Sequence, residues 1–320
     1  TAAATSASFS IDTVVVAPTI DAIATDNTAN AAEATAGFNI TGTGEVGATV
    51  TLTLDSGKTL AGGNTGTVGT DGAWSIAVAN ADVIELGEGA EAITAKQVDV
   101  AGNESDASDA SILTVDTAVP TAATVGLGTG VDSAGATDAE ATASGGVVTV
   151  TGENGATIVA TLTGQSGTVT KTVTGTGTAD AVALTSTEVD TLGEGDVTVS
   201  VAQTDAAGNA QTATAKTTSF KVDTIAPAAP VLALGSGVSD GATSAESVAT
   251  GGVVKVTGEA NASIAVVFTG QSGAVTKTVT GTGSEQAVVL TSGNLTTLGE
   301  GAVSVSATQT DAAGNAQTAS

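Results

Sequence analysis

The chain has 320 residues, with 33 acidic side chains against 7 lysines for a formal charge of −26, and no Cys, Met, His, Arg or Tyr. Missing His and Cys remove the commonest general base and soft nucleophile, and with them the usual ligation of zinc, copper and haem. A nucleic-acid partner is excluded as well, since its phosphates must be met by positive side chains.

Self-repulsion on this scale weakens a compact state unless cations neutralise it. Calcium at specific clusters and a generally acidic surface kept soluble in salt water are compatible explanations. One Trp and four Phe imply thin aliphatic cores. Without disulfides, a metal is the remaining staple, because binding to the folded state adds to stability. No 18-residue apolar run occurs, and residues 1–11 lack the regions of a signal peptide. The expectation is a soluble fragment that begins inside a larger array, with no membrane insertion.

In chain order, Thr1–Ile11 aligns with Thr212–Val222, and both lead into Asp-Thr. It reads as the last strand of a preceding repeat. Three repeats follow, at 12–115, 116–222 and 223–320, the third lacking its last strand. They are marked by Ile/Val-Asp-Thr at Asp12, Asp116 and Asp223, and by Leu-Gly-Glu-Gly at 86–89, 192–195 and 298–301. Asp-x-Ala-Gly-Asn recurs at Asp99–Asn103, Asp205–Asn209 and Asp311–Asn315, an interval of 106 residues. A period of this length denotes whole domains, since solenoid units run about 20–50 residues. Near each start, Asp116-Thr-Ala-Val-Pro120 and Asp223-Thr-Ile-Ala-Pro227 set a proline before a new strand, making short linkers with little slack.

Within the first repeat, Asp71-Gly-Ala-Trp74 reads as a turn into a strand, with Trp74 packing rather than stacking on sugar. The third repeat shows strand runs at Ala229–Leu234, Gly252–Thr257, Ser263–Phe268, Ala274–Thr280, Gln286–Thr291 and Ala302–Thr310. In the last of these, Val303, Val305 and Ala307 are expected inward, with Ser304, Ser306 and Thr308 outward. No stretch has a convincing 3.6-residue period. The fold expected is all-β: a tandem array of immunoglobulin-like seven-stranded β-sandwiches.

Alternation of seven strands puts the second-to-third-strand turn, the sixth-to-seventh-strand turn and the incoming linker at one pole. Four oxygen-bearing residues then converge in each repeat: Asp12, Glu45, Asp99 and Asn103; Asp116, Glu153, Asp205 and Asn209; Asp223, Glu259, Asp311 and Asn315. Calcium takes six to eight hard oxygens from carboxylates, amides and carbonyls at about 2.3–2.6 Å, whereas magnesium prefers rigid, water-rich octahedra. Glycine at 102, 208 and 314 lets each turn fold back so that Asp and Asn share a centre. A plain tight turn capped by Asp and Asn is the competing reading. A second, weaker cluster comprises Asp132, Asp138 and Asp240 at the opposite pole, where a solvated acidic loop is the alternative. Glu88, Glu194 and Glu300 belong to a turn into the sixth strand.

These residues resemble the bacterial Ig-like extender repeats of giant RTX-type biofilm and ice-binding adhesins. The matching motifs are Val-Asp-Thr-x-Ala-Pro at the linker, Thr-Gly-Glu-x-Asn/Gly-Ala in the second-to-third-strand turn, Asp-Ala-Ala-Gly-Asn, and Trp74-Ser75. The resemblance spans the whole chain. It implies type I secretion from a Gram-negative bacterium, a cell-surface location, and calcium at the junctions stiffening a stalk that projects a distal ligand-binding region. The first repeat departs most, with Val15-Val16-Ala17-Pro18 after Asp12-Thr13 and Asn30 and Glu33 in a longer loop; no RTX nonapeptide repeat is present. The expected role is therefore a non-catalytic spacer whose partners are calcium and neighbouring repeats. The rivals are a carbohydrate- or surface-binding Ig-like module, disfavoured by scarce aromatics, and a glycosidase built on paired carboxylates. The mismatched ends suggest head-to-tail strand exchange, Thr1–Ile11 of one molecule completing the third repeat of another.

Overall fold

A computed structural model describes residues 7–131 and 134–317; Thr1–Ser6, Asp132, Ser133 and 318–320 lie outside it. The protein is all-β with short helices, and it divides into two compact units. One unit comprises residues up to 122 with Gly152–Thr157 and Ala202–Thr214; the other comprises the remainder.

In the first unit, the strands are β1 (Thr28–Ala29), β2 (Phe38–Thr43), β3 (Thr49–Leu54), β4 (Thr65–Thr67), β5 (Ala73–Val78), β6 (Gly89–Val98) and β7 (Ser111–Val115), with helices α1 (Ala31–Ala36) and α2 (Asn80–Leu86). They form a five-stranded sheet, β1-β7-β6-β3-β4, and a two-stranded sheet, β2-β5. Thr-Val-Thr-Leu-Thr-Leu in β3 alternates perfectly, so Val50, Leu52 and Leu54 are buried while the threonines face water. They join Ile40 of β2, Trp74 and Ile76 of β5, Ile93 of β6 and Leu113 of β7 in one core. Each such aliphatic side chain contributes about 1.5–3 kcal/mol on burial. Trp74 packs there as expected, its indole Nε1 donating to the Thr43 carbonyl at 3.2 Å.

The entering segment is not a regular strand. Thr19 and Asp21 donate backbone N–H groups to the Thr43 and Thr41 carbonyls of β2, both at 2.9 Å. This approach needs Gly42, because a Cβ there would lie 1.9 Å from the Thr19 oxygen.

The second unit holds, apart from Thr157 and Ala202–Thr204, the elements β8 (Thr124–Leu127), α3 (Asp138–Ala141), β9 (Val148–Thr151), β10 (Thr157–Thr163), β11 (Thr168–Thr174), β12 (Asp180–Val182), α4 (Ser186–Leu192), β13 (Gly195–Thr204) and β14 (Lys216–Val222). It continues with β15 (Val231–Leu234), α5 (Ser244–Ser247), β16 (Val254–Thr257), β17 (Ser263–Thr269), β18 (Ala274–Thr280), β19 (Gln286–Val288), α6 (Ser292–Leu298) and β20 (Ser304–Thr310). Sheets β12-β9-β8 and β11-β10-β13-β14 enclose a core around Val150, Ile158, Leu162, Val199 and Phe220. Sheets β15-β16-β19 and β18-β17-β20 enclose another around Val256, Ile264, Val266 and Phe268.

The six helices among the described residues were not legible as a 3.6-residue period because none exceeds seven residues. Local chemistry makes them instead. Thr185 caps α4 by accepting from the Glu188 N–H, while Glu188 Oε2 accepts from the Thr185 N–H at 2.7 Å, closing a capping box. Thr291 and Asn294 repeat the arrangement at α6. Gly87, Gly193 and Gly299 end α2, α4 and α6 at φ of 76°, 74° and 75°, where a side chain would be strained. The Leu-Gly-Glu-Gly motif is thus a helix stop followed by a turn into β6 and β13.

Val303, Val305 and Ala307 do not achieve the expected burial. Val303 is 39% exposed and the other two are half-buried, because no described strand covers the free edge of β20.

Candidate metal centre and linker clasp

Each Asp-x-Ala-Gly-Asn segment is one closed turn. The Asp99 N–H donates to the Asn103 carbonyl at 3.1 Å, and the Asp99 carboxylate accepts from the Asn103 N–H at 2.8 Å. Asp205 and Asp311 make the same pair of bonds with Asn209 and Asn315. Gly102, Gly208 and Gly314 sit at φ of 95°, 96° and 110°, the left-handed geometry that the turn requires.

The Asn side chain then reaches the linker. Asn103 Nδ2 donates to Asp99 Oδ2 at 2.7 Å and to the Asp12 carbonyl at 3.2 Å. Asn209 Nδ2 bonds Asp205 Oδ2 and the Asp116 carbonyl, both at 2.9 Å. Asn315 Nδ2 bonds Asp311 Oδ2 at 2.9 Å and the Asp223 carbonyl at 2.8 Å. In all three places the amide nitrogen, a donor, faces the carboxylate. It orients that carboxylate and grips the linker, where an amide-oxygen ligand was expected. In addition, Asn209 Oδ1 accepts from the Ala31 N–H at 2.8 Å, at the start of α1, which Asn30 and Glu33 cap.

Sequence reasoning missed a second grip. Gln97, Gln203 and Gln309 are buried two residues before each turn Asp. Gln97 Nε2 donates to the Val16 carbonyl at 2.8 Å while its Oε1 accepts from the Glu45 N–H at 3.0 Å. Gln203 joins the Thr121 carbonyl (2.6 Å) to the Glu153 N–H (2.9 Å), and Gln309 joins the Ala228 carbonyl to the Glu259 N–H. One amide thus ties a linker to the turn that bears the site Glu. The available signal was Gln-x-Asp in all three copies.

A third grip comes from Leu-Gly-Glu-Gly. Glu88 accepts from the Thr117 N–H at 3.0 Å and from its hydroxyl; Glu194 accepts from both groups of Thr224. Adjacent linker residues are therefore held from two sides: the Asp116 carbonyl by Asn209 and Thr117 by Glu88. Asp223 and Thr224 are held likewise by Asn315 and Glu194.

Among the described residues, one group of three carboxylates comes together: Asp12, Glu45 and Asp99, with oxygens within 4.8 Å of one another. That spacing suits calcium, since an ion about 2.4 Å from each oxygen spans about 4.8 Å. The donors are hard oxygens, as calcium requires. Asp99 is buried, Glu45 half-buried and Asp12 exposed. The Asn103 side-chain hydrogen bond holds the Asp99 carboxyl below its ordinary value; burial opposes this, and backbone N–H groups of Asn103, Gly102 and Ala101 add to it. An ionised carboxylate is the form a cation needs.

The equivalent groups Asp116, Glu153 and Asp205, and Asp223, Glu259 and Asp311, do not draw so close. Glu153 and Glu259 are exposed, and Asp223 Oδ2 pairs with Lys221 Nζ at 3.1 Å. In the weaker cluster, Asp138 opens α3 and accepts from the Ser186 hydroxyl at 3.1 Å. Asp240 is exposed, and Asp132 lies outside the described residues.

The sandwich and its clasped linkers define an immunoglobulin-like domain array. Residues 24–113 match the profile of the bacterial Ig domain. Among solved structures it is similar to a bacterial immunoglobulin-like domain from the M. primoryensis ice-binding adhesin, with 31% identity over 32% of this chain and 98% of that one, TM-score 0.24. It is also similar to a Ca2+-stabilized adhesin that helps an Antarctic bacterium reach out and bind ice, with 28% identity over 96% of this chain and 72% of that one, TM-score 0.45. A 1.5-MDa bacterial ice-binding adhesin gives 23% identity over 96% of both chains, TM-score 0.39. No curated protein matches the chain. No helix among the described residues is long and apolar enough to cross a membrane.

Proposed function

We propose that this chain is a non-catalytic spacer of a bacterial cell-surface adhesin, built of repeats at 12–115, 116–222 and 223–320 and stiffened by calcium. The observation that carries the reading is the double grip on consecutive linker residues, Asp116 by Asn209 and Thr117 by Glu88. Bonds from two sides to consecutive residues restrict their torsions, which is what a spacer requires. The bacterial Ig profile over residues 24–113 and the linker and turn motifs support the same reading, which carries with it an extracellular location after type I secretion.

Asp12, Glu45 and Asp99 would hold the ion, with Asn103 fixing the Asp99 carboxylate. Calcium supplies two positive charges to a chain of net charge −26 and cross-links the linker to two turns. Asp205 with Asp116, and Asp311 with Asp223, would form the corresponding sites at the other linkers, drawing in Glu153 and Glu259.

Trp74 provides the test, because the sole tryptophan lies in the core beside the first site. Calcium is expected to raise the urea midpoint followed by Trp74 fluorescence, and Asp99→Ala to abolish that rise. Scattering is expected to give a longer mean dimension with calcium than with chelator. An unchanged midpoint together with superimposable scattering curves would refute the calcium role.

A further inference from the structure

Among the described residues four lysines pair with carboxylates, and only Lys221 pairs with a candidate metal residue. Its Nζ lies 3.1 Å from Asp223 Oδ2, with the lysine side chain 44% and the aspartate side chain 25% exposed. Residues two apart in extended backbone share a face, so the two side chains leave the chain in the same direction. The backbone between them is fixed from one side. The Asp223 N–H donates to the Ala136 carbonyl at 3.0 Å, and the Ala136 N–H donates to the Lys221 carbonyl at 2.7 Å.

A second carboxylate faces Lys221. β13 and β14 run antiparallel with Asp196 directly opposite Lys221, both on the outward face, since Val197, Phe220 and Val222 are buried. Opposed side chains have Cβ atoms about 4.5–5.5 Å apart, within reach of an ion pair. Lys221 thus has two seats, Asp223 on the linker and Asp196 on the sheet. The preceding linker lacks both charges. In β6 and β7 the corresponding pair is Ala90 and Thr114, and no lysine stands two residues before Asp116. Ser10 holds that place before Asp12.

We propose that Lys221 is a built-in competitor for calcium at the third linker. Its ammonium holds Asp223 when no ion is bound, and moves to Asp196 when calcium takes the carboxylate. The inference rests on the calcium reading of the linker clusters. Asp223 then keeps a counter-ion in either state, a single charge or a double one. The third linker fills at higher calcium than it would without Lys221, and it loses less order when calcium is withdrawn. At the first linker Asp12, Glu45 and Asp99 gather without a paired lysine, so no such competition arises there.

Calcium titrations of the full chain by amide NMR separate the linkers, with Thr224 and Asn315 reporting on the third and Asn103 on the first. Lys221→Met keeps the apolar stem and removes the charge. An exposed ion pair changes an equilibrium constant by up to about fivefold, so the third linker should bind calcium about three- to fivefold more tightly, with Asn103 unchanged. Asp196→Asn removes the second seat and should weaken the same site about twofold. In Lys221→Met, adding Asp196→Asn should change nothing further, because no ammonium is left to move. In EGTA, Lys221→Met should speed amide exchange at Thr224, and Asp196→Asn should not. Both side chains lie on the outward face of the strands, so folding is not at issue. Unchanged affinity in Lys221→Met, or weakening by Asp196→Asn that persists without Lys221, would overturn the proposal while the first linker still titrates. If no linker responds to calcium, the calcium reading itself fails, and this proposal with it.

Discussion

Gln97→Leu isolates the buried amide grip with little change in volume. The substitution leaves the Val16 carbonyl without its 2.8 Å donor and the Glu45 N–H without its 3.0 Å acceptor, around a side chain with no solvent exposure. An unsatisfied buried polar group costs about 1–3 kcal/mol. Val16 is largely exposed and its carbonyl can recover water, whereas the Glu45 turn is half-buried. The lower part of the range therefore applies, about 2 kcal/mol for the pair. With a urea slope of about 1–3 kcal/mol per M, the unfolding midpoint should fall by about 1 M. Trp74 fluorescence follows this core alone, which avoids treating three cores as one two-state unit. Gln97→Glu should behave similarly at neutral pH, since a carboxylate can accept from Glu45 but cannot donate to Val16. A midpoint shift below about 0.3 M in both variants would show that the amide bridges nothing of consequence.

Other perturbations probe the neighbouring contacts. Asn209→Ala removes the acceptor of the Ala31 N–H, so amide exchange at Ala31 should accelerate, about tenfold for each 1.4 kcal/mol of protection lost. Glu194→Ala frees Thr224 and should speed tryptic cleavage after Lys221, followed by mass spectrometry. The Asp99 carboxyl is held below its ordinary value of 3.8 in the folded chain, so its contribution is complete above that pH and is lost as the pH falls through the lower, folded value. Acid unfolding monitored by Trp74 should therefore be less steep below about pH 4 in Asp99→Asn. Lys171 Nζ lies 2.9 Å from Glu188 Oε2, and this hydrogen bond is the main cause lowering the Glu188 pKa. Lys171→Met should raise that pKa, as read by carboxyl NMR titration.

Strands were legible wherever side chains alternated without interruption, as in β17 and β18, because one face is buried and the period is two. The turn aspartates were legible because Asp and Asn flank a glycine that can take positive φ. The short helices were not, since they come from capping boxes and glycine stops rather than from an apolar stripe. Gln97, Gln203 and Gln309 escaped notice because glutamine is ordinarily a surface residue; only a count of what surrounds each backbone carbonyl and N–H reveals their use. Similarly, the sequence places Asn103 beside Asp99 but does not say which end of the amide faces the carboxylate. That orientation follows from the linker carbonyl, which can only accept. Asp223 looked equivalent to Asp12, yet Lys221 stands where the first repeat has Ser10, and its ammonium engages the carboxylate.

The linker grips use the same parts each time: a Glu from Leu-Gly-Glu-Gly before the Asp-Thr pair, and a Gln and an Asn from the turn segment after it. No contact in this set depends on a residue peculiar to one junction. A unit removed or duplicated between equivalent points would still present Glu to Thr and Asn to the Asp carbonyl at the new join. Recombination between copies can therefore change the number of repeats without any new joint having to be selected, so that repeat number becomes a heritable quantity adjustable separately from folding.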